Sequence, residues 1–165
     1  MTFIPQDVAN QLREVFMDLK QDVTIALFTT DGCYSCEETT AFMTEVADLS
    51  DKLHFVPYDF EKDHEKAKAY DVTMVPSIVL LDHTGAYRRI KFNGIPAGHE
   101  INAFIPALLE VSGNESALPE DIKARIEAIS KPINIKVFVT LSCPHCSGAV
   151  QKAHKMAMMN PMIQA

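Results

Sequence analysis

A chain of 165 residues is long enough for one ordinary domain or two small ones. With 47% hydrophobic and 22% charged residues, nine Pro, six Gly and no low-complexity run, it falls in the globular class and not in the disordered or fibrous ones. A formal net charge of −7 without any Lys/Arg cluster argues against nucleic acid as the main partner, because phosphate binding needs a basic face.

The first stretch, MTFIPQDVANQLREVFMDLK, has no charged leader followed by an apolar run, and no segment approaches membrane-spanning length. The expectation is a soluble, cytoplasmic protein with no membrane contact. In a reducing compartment, four cysteines in two close pairs read as catalytic or metal-binding and not as structural staples.

From Pro5 to Lys20, Val8, Leu12, Val15, Phe16 and Leu19 recur at helical spacing, with Pro5 suited to a first-turn position. VTIALFTT at 23–30 is apolar and β-branched, as for a strand covered on both faces. A helix over 37–49 follows, with Ala41, Phe42, Val46 and Leu49 on one side, then a strand at 53–60 and a short charged helix at 61–70. MVPSIVLLD (74–82) and AYRRIKFNG (86–94) read as strands joined by a tight turn in DHTG. The basic residues of YRRIK are expected on a solvated side of that hairpin. HEINAFIPALLEV closes the unit as a helix in which Pro106 removes a backbone donor. Polar turn residues in SGNESALPED mark a boundary near 113–117, giving units at 1–115 and 116–165. A further helix spans 119–129 and a strand 133–140.

Sliding the chain on itself by 110 residues brings Ile25, Leu27, Phe28, Thr30, Cys33 and Cys36 onto Ile135, Val137, Phe138, Thr140, Cys143 and Cys146. A slide of 114 aligns PQDVANQLREV with PEDIKARIEAI. One architecture is therefore written twice.

A Cys-x-x-Cys between a buried strand and a helix sets the first sulfur at the helix N-terminus, where unpaired donors and the macrodipole favour a thiolate. Such a thiol ionises below its ordinary pKa of about 8.5, so Cys33 and Cys143 are the expected nucleophiles, with Cys36 and Cys146 resolving the mixed disulfide. The same pairs could serve zinc or an iron–sulfur cluster, or be inert. Against zinc, 106 residues separate Cys36 from Cys143, whereas zinc ribbons space their pairs by about 15–20. The scattered His54, His64, His83, His99 and His154 suggest no metal site and are expected at or near the surface, while Met156, Met158, Met159 and Met162 are expected as core.

The order helix, β-α-β-α, MVP, hairpin and helix around Cys33-Tyr34-Ser35-Cys36 resembles a thioredoxin fold, and the tandem arrangement resembles the glutaredoxin-like protein disulfide oxidoreductases. GIPAGHE (94–100) and KVFVTLSCPHC are also similar to stretches of that family and of the N-terminal domain of flavoprotein alkyl hydroperoxide reductases. The resemblance implies an α/β, thioredoxin-like fold with a mixed central sheet flanked by helices, one complete unit plus the start of a second. It implies a dithiol–disulfide oxidoreductase working through Cys33, Cys36, Cys143 and Cys146 without cofactor or metal. Protein disulfides and dithiols are the implied substrates, contacted by Val75, Pro76, Tyr34 and His145, with Val75-Pro76 as a cis peptide. An electron relay between a flavin-dependent, thioredoxin reductase-like donor and a peroxiredoxin is the alternative.

Two departures stand out. Thioredoxins bury an acid six residues before the first Cys, where this chain has Leu27 and Val137, leaving Asp31, Glu37, Glu38 or water to handle protons. The later unit also has no counterpart of MVP. Its strand at 133–140 and Met-rich helix would leave an apolar face uncovered, so the expectation is either a chain continuing past Ala165 or a homodimer that completes the sheet.

Overall fold

The run VTIALFT organises the molecule because both of its faces are buried. In the computed structural model, which describes residues 3–165, it forms β1 (Val23–Thr29), and Val23, Ile25, Ala26, Leu27 and Phe28 are all fully buried. Before it comes α1 (Gln6–Phe16); after it come α2 (Cys36–Ala47), β2 (Leu53–Asp59), α3 (His64–Ala69), β3 (Ser77–Leu81) and β4 (Tyr87–Asn93). The strands form one mixed sheet in the order β2-β1-β3-β4, with β1 parallel to β2 and antiparallel to β3. A 3-10 turn (Gly98–Glu100) leads into α4 (Ile101–Val111), followed by α5 (Glu120–Glu127), β5 (Ile133–Asn134), α6 (Cys146–Met159) and β6 (Ile163–Gln164).

Strand alternation divides the core. Val23, Ile25 and Leu27 face a layer holding Phe16, Phe42, Met43, Phe104 and Leu108 from α1, α2 and α4. Ala26 and Phe28 face the other way, against Ala67, Val72 and the Tyr58 ring, which stacks on Phe28 at 5.1 Å. Each large apolar side chain contributes about 1.5–3 kcal/mol on burial, so β1 is firmly held from both faces.

The DHTG turn closes as its residues suggest. Asp82 Oδ1 accepts from the Thr84 and Ala86 N–H groups, and Gly85 takes φ 80°, a conformation that disfavours side chains. Pro106 lies inside α4 without ending it, because the Asn102 carbonyl that would otherwise accept from position 106 is taken by Gln151 Nε2 at 2.6 Å.

The repeat extends to strand register. Val23↔Leu53 and Thr24↔His54 recur 110 residues later as Ile133↔Ile163 and Asn134↔Gln164, again parallel. Ala165 then exchanges backbone hydrogen bonds with β4, its N–H donating to Arg89 O and its carbonyl accepting from Lys91 N–H, both at 3.0 Å. The short β5-β6 ladder is thereby held at the free edge of the main sheet.

Several expectations are corrected. The strand expected over 133–140 is reduced to Ile133–Asn134; only the Ile135 N–H adds a further bond, to Gln164 O, and Phe138 is 90% exposed. Among the described residues its one partner strand is two residues long, which leaves no ladder for residues beyond Ile135. The basic hairpin residues are not a solvated face. Arg89 donates to the Ala157 and Met158 carbonyls at the end of α6, Lys91 bonds Asp71, and Arg88 lies between Asp82 and Glu115. Packing of α6 over β4 accounts for Arg89, while Lys91 and Arg88 are held by acids outside α6. The first helix stops at Phe16, four residues before Lys20, and Met162 is exposed while Met156, Met158 and Met159 pack half-buried on the core.

His154 is buried, not superficial. It meets Phe92 edge-on at 4.7 Å, and its Nδ1 has no partner. Burial lowers its pKa to about 4. Between pH 6.5 and 4 the unfolded chain therefore binds the proton that the folded chain refuses, and stability falls as pH falls. Chemical denaturation across this window should show a loss of up to about 3 kcal/mol that His154→Phe largely removes; an equal loss in the variant would assign it to other groups.

Candidate functional site

β1 leaves the sheet at Thr29, and the chain reaches α2 through a turn in which the Cys33 N–H bonds Thr30 O. Helix α2 begins at Cys36 with Ser35 at the cap, and no side chain caps its first N–H groups. Cys33 and Cys36 form a disulfide with Cα atoms 5.4 Å apart. Cys36 is only 5% exposed, whereas Cys33 is half-exposed and Tyr34 stands fully in solvent. The two sulfurs thus differ in access as a nucleophile and a resolving thiol would.

Val75-Pro76 is cis, as the resemblance implies. Pro76 is buried and immediately precedes Ser77, which pairs with Phe28, five residues ahead of Cys33. Val75 is half-buried and Met74 is 54% exposed, so an apolar edge flanks the proline.

The second pair repeats the turn and helix start of the first, but Cys146 is half-buried where Cys36 is buried, so its two sulfurs differ less in access. Cys143 and Cys146 form a disulfide with Cα atoms 5.6 Å apart, the Cys143 N–H bonds Thr140 O, and α6 starts at Cys146 with exposed His145 at its cap. The four cysteines do not converge, since each pair closes on itself. Among the described residues no group of three or more His, Cys, Asp or Glu is placed to hold a metal ion. No helix described is long and apolar enough to cross a membrane.

Asp31, Glu37 and Glu38, the acids expected near the first pair, are all exposed. The buried acid is elsewhere. Glu100 is 3% exposed, its Oε1 has no partner, and burial pushes its carboxyl above the ordinary range. It sits on the 3-10 turn whose His99 N–H bonds Leu141 O at 3.0 Å, two residues before Cys143. Gly98 is required there: φ is 58°, and a Cβ would meet Leu141 O at 2.6 Å. The signal was present in GIPAGHE, whose final acid carries no periodicity and shows its burial only when the turn folds against the second loop.

Residues 11–108 match the family of the thioredoxin-like domain. The chain belongs to that family. It is 30% identical over 155 residues, 94% of its length, to the F component of alkyl hydroperoxide reductase from Pseudomonas putida, and 36% identical over 158 residues to the Pseudomonas aeruginosa counterpart. It spans only 27% and 28% of the length of those curated relatives. Among solved structures it resembles the F component of the Enterococcus faecalis alkylhydroperoxide reductase (TM-score 0.92, 32% identity, 99% of this chain and 78% of that one). It also resembles a protein disulfide oxidoreductase of Aeropyrum pernix (TM-score 0.88, 28% identity, 99% and 73%). The thioredoxin-like fold and a thioredoxin-like redox function follow for this member of the family.

After reduction, iodoacetamide should alkylate Cys33 well before Cys36, read by peptide mass at short times. Equal or reversed labelling would contradict the difference in exposure.

Proposed function

We propose that this chain exchanges disulfides with protein clients through two centres, one in each of two units at 1–115 and 116–165, and that Cys33 is the entering nucleophile of the first. The observation that carries this is the Cys33–Cys36 disulfide at an uncapped helix N-terminus, with an open first sulfur and a buried second. In the reducing direction the Cys33 thiolate attacks a client disulfide, forming a mixed disulfide and releasing one client thiolate, which takes up a proton. Cys36 then attacks the Cys33 sulfur, releasing the second client thiol and leaving the Cys33–Cys36 disulfide, so two electrons pass from chain to client. The same steps run backwards when the client dithiol is the stronger reductant.

Client docking would use the edge beside Pro76, where the Val75 backbone can pair with an extended segment and Tyr34 and Met74 offer apolar contact. At the second centre, His145 stands beside the thiolate and is the matching contact. The first turn of α2 carries Glu37 and Glu38, while the first turn of α6 carries no acid. The α6 terminus therefore favours its thiolate more, which makes Cys143–Cys146 the stronger oxidant of the two. Glu100 is the candidate proton acceptor there.

A relay is the second reading, favoured by the similarity to the F component of alkyl hydroperoxide reductases. The client would then be a peroxiredoxin disulfide and the donor a flavoprotein dithiol.

Insulin reduction driven by dithiothreitol should fall in Cys33→Ser to the rate that the second centre sustains and at least about 100-fold in Cys33→Ser/Cys143→Ser, while Cys36→Ser should accumulate mixed disulfides with its clients. Unchanged rates in Cys33→Ser, with Cys143→Ser carrying the loss, would move the entry point to the second centre. Glu100→Gln should remove one ionisation from the pH profile of exchange at Cys143–Cys146 and leave the first centre's profile unaltered. An unchanged profile at the second pair would dismiss Glu100 from this role.

A further inference from the structure

The two repeats differ where their paired helices meet. In the first repeat, Phe3 lies edge-on to Phe42 of α2 at 6.3 Å. The Phe3 and Ile4 N–H groups both donate to the Glu45 carboxylate at 2.9 Å, tying the segment ahead of α1 across α2. In the second repeat the corresponding residues are Ala117, Leu118, Lys152 and Lys155. Both aromatic rings are gone, and the acceptor Glu45 has become Lys155, which cannot accept a backbone N–H and instead bonds Glu110 at 3.1 Å.

The result is a cleft of about 760 Å³ between α4, α5 and α6. Leu118, Ile122, Ile126, Ile129 and Met156 line it with apolar surface. Arg125 and Lys152 also line it, both exposed and neither in a salt bridge among the described residues. The one acid on its wall, Glu110, is already paired with Lys155. A volume of this size lies within the range of small-molecule sites. Unpaired cations over an apolar floor, on a chain of net charge −7, suit a ligand with an apolar body and one anionic end.

We propose that this cleft binds a medium-chain fatty acid, its acyl chain lying between α5 and α6 and its carboxylate paired with Arg125 and Lys152. The anionic end distinguishes this occupant from a neutral hydrocarbon, which would leave both cations without a partner. The site lies on the helix that Cys146 begins, so occupancy adds contacts along α6, beyond the redox centre at its N-terminus.

Calorimetric titration of the whole chain with dodecanoate, below its micellar concentration, should give saturable one-to-one binding. Dodecan-1-ol should bind several-fold more weakly, and Arg125→Glu should weaken dodecanoate about fivefold or more while leaving dodecan-1-ol unchanged. The pair Ala117→Phe/Lys152→Phe, which restores the packing of the first repeat, should abolish dodecanoate binding with thermal unfolding no lower than that of the unsubstituted chain. Absence of saturable dodecanoate binding to the unsubstituted chain would overturn the proposal. So would equal affinity for the acid and the alcohol, or an Arg125→Glu variant that binds dodecanoate undiminished; the last reading stands even where the double variant fails to fold.

Discussion

Everything near the first centre depends on β1 being sealed on both faces. A strand with no exposed side can release the chain only at its end, so Thr29 fixes where the loop to α2 emerges and how close Cys33 comes to the β3 edge. The antiparallel pairing of Phe28 with Ser77 carries Pro76 to the same end of the sheet. The Cys33–Cys36 pair and the Val75-Pro76 edge therefore lie at the same end of one sheet. Placing the first sulfur ahead of an uncapped helix and burying the second adds chemical asymmetry to that geometry.

The second repeat is built with fewer partners. Its strand pairing keeps the register of the first, yet extends for only two residues on each strand, and it is held by Ala165 against β4 and by Arg89 capping the end of α6. Large apolar side chains such as Phe138 and Leu141 consequently face solvent in the segment that leads to Cys143. The second centre borrows its surroundings from the first repeat: the 3-10 turn of 98–100 supports its loop, and Gln151 of α6 satisfies the carbonyl that Pro106 frees in α4. The two centres are thus structurally joined without their cysteines meeting.

Much of this was legible in the residues. The unbroken apolar run of β1, the helical spacing of Leu12 and Phe16, and the strand–Cys-x-x-Cys–helix order each encode a local preference that packing then respects. The cis peptide at Pro76 was reachable only through resemblance, since X-Pro bonds are mostly trans and nothing local dictates otherwise. What could not be read was set by long-range neighbours. The strand pattern of 135–140 is intact, but strands exist only where partners do. His154 and Glu100 are polar residues buried by elements far away in sequence, and the basic hairpin found its partners on α6 and at Asp71 and Glu115.

Disulfide exchange requires both cysteine pairs to be reversible dithiols and not permanent staples. Equilibrating the chain in dithiothreitol buffers of graded potential, quenching by alkylation and counting the oxidised fraction of each pair by peptide mass tests this directly. Two reversible two-electron transitions are expected, both above about −300 mV, with Cys143–Cys146 at the higher potential. Two pairs that stay oxidised at and below that potential would contradict the exchange chemistry and make the disulfides structural.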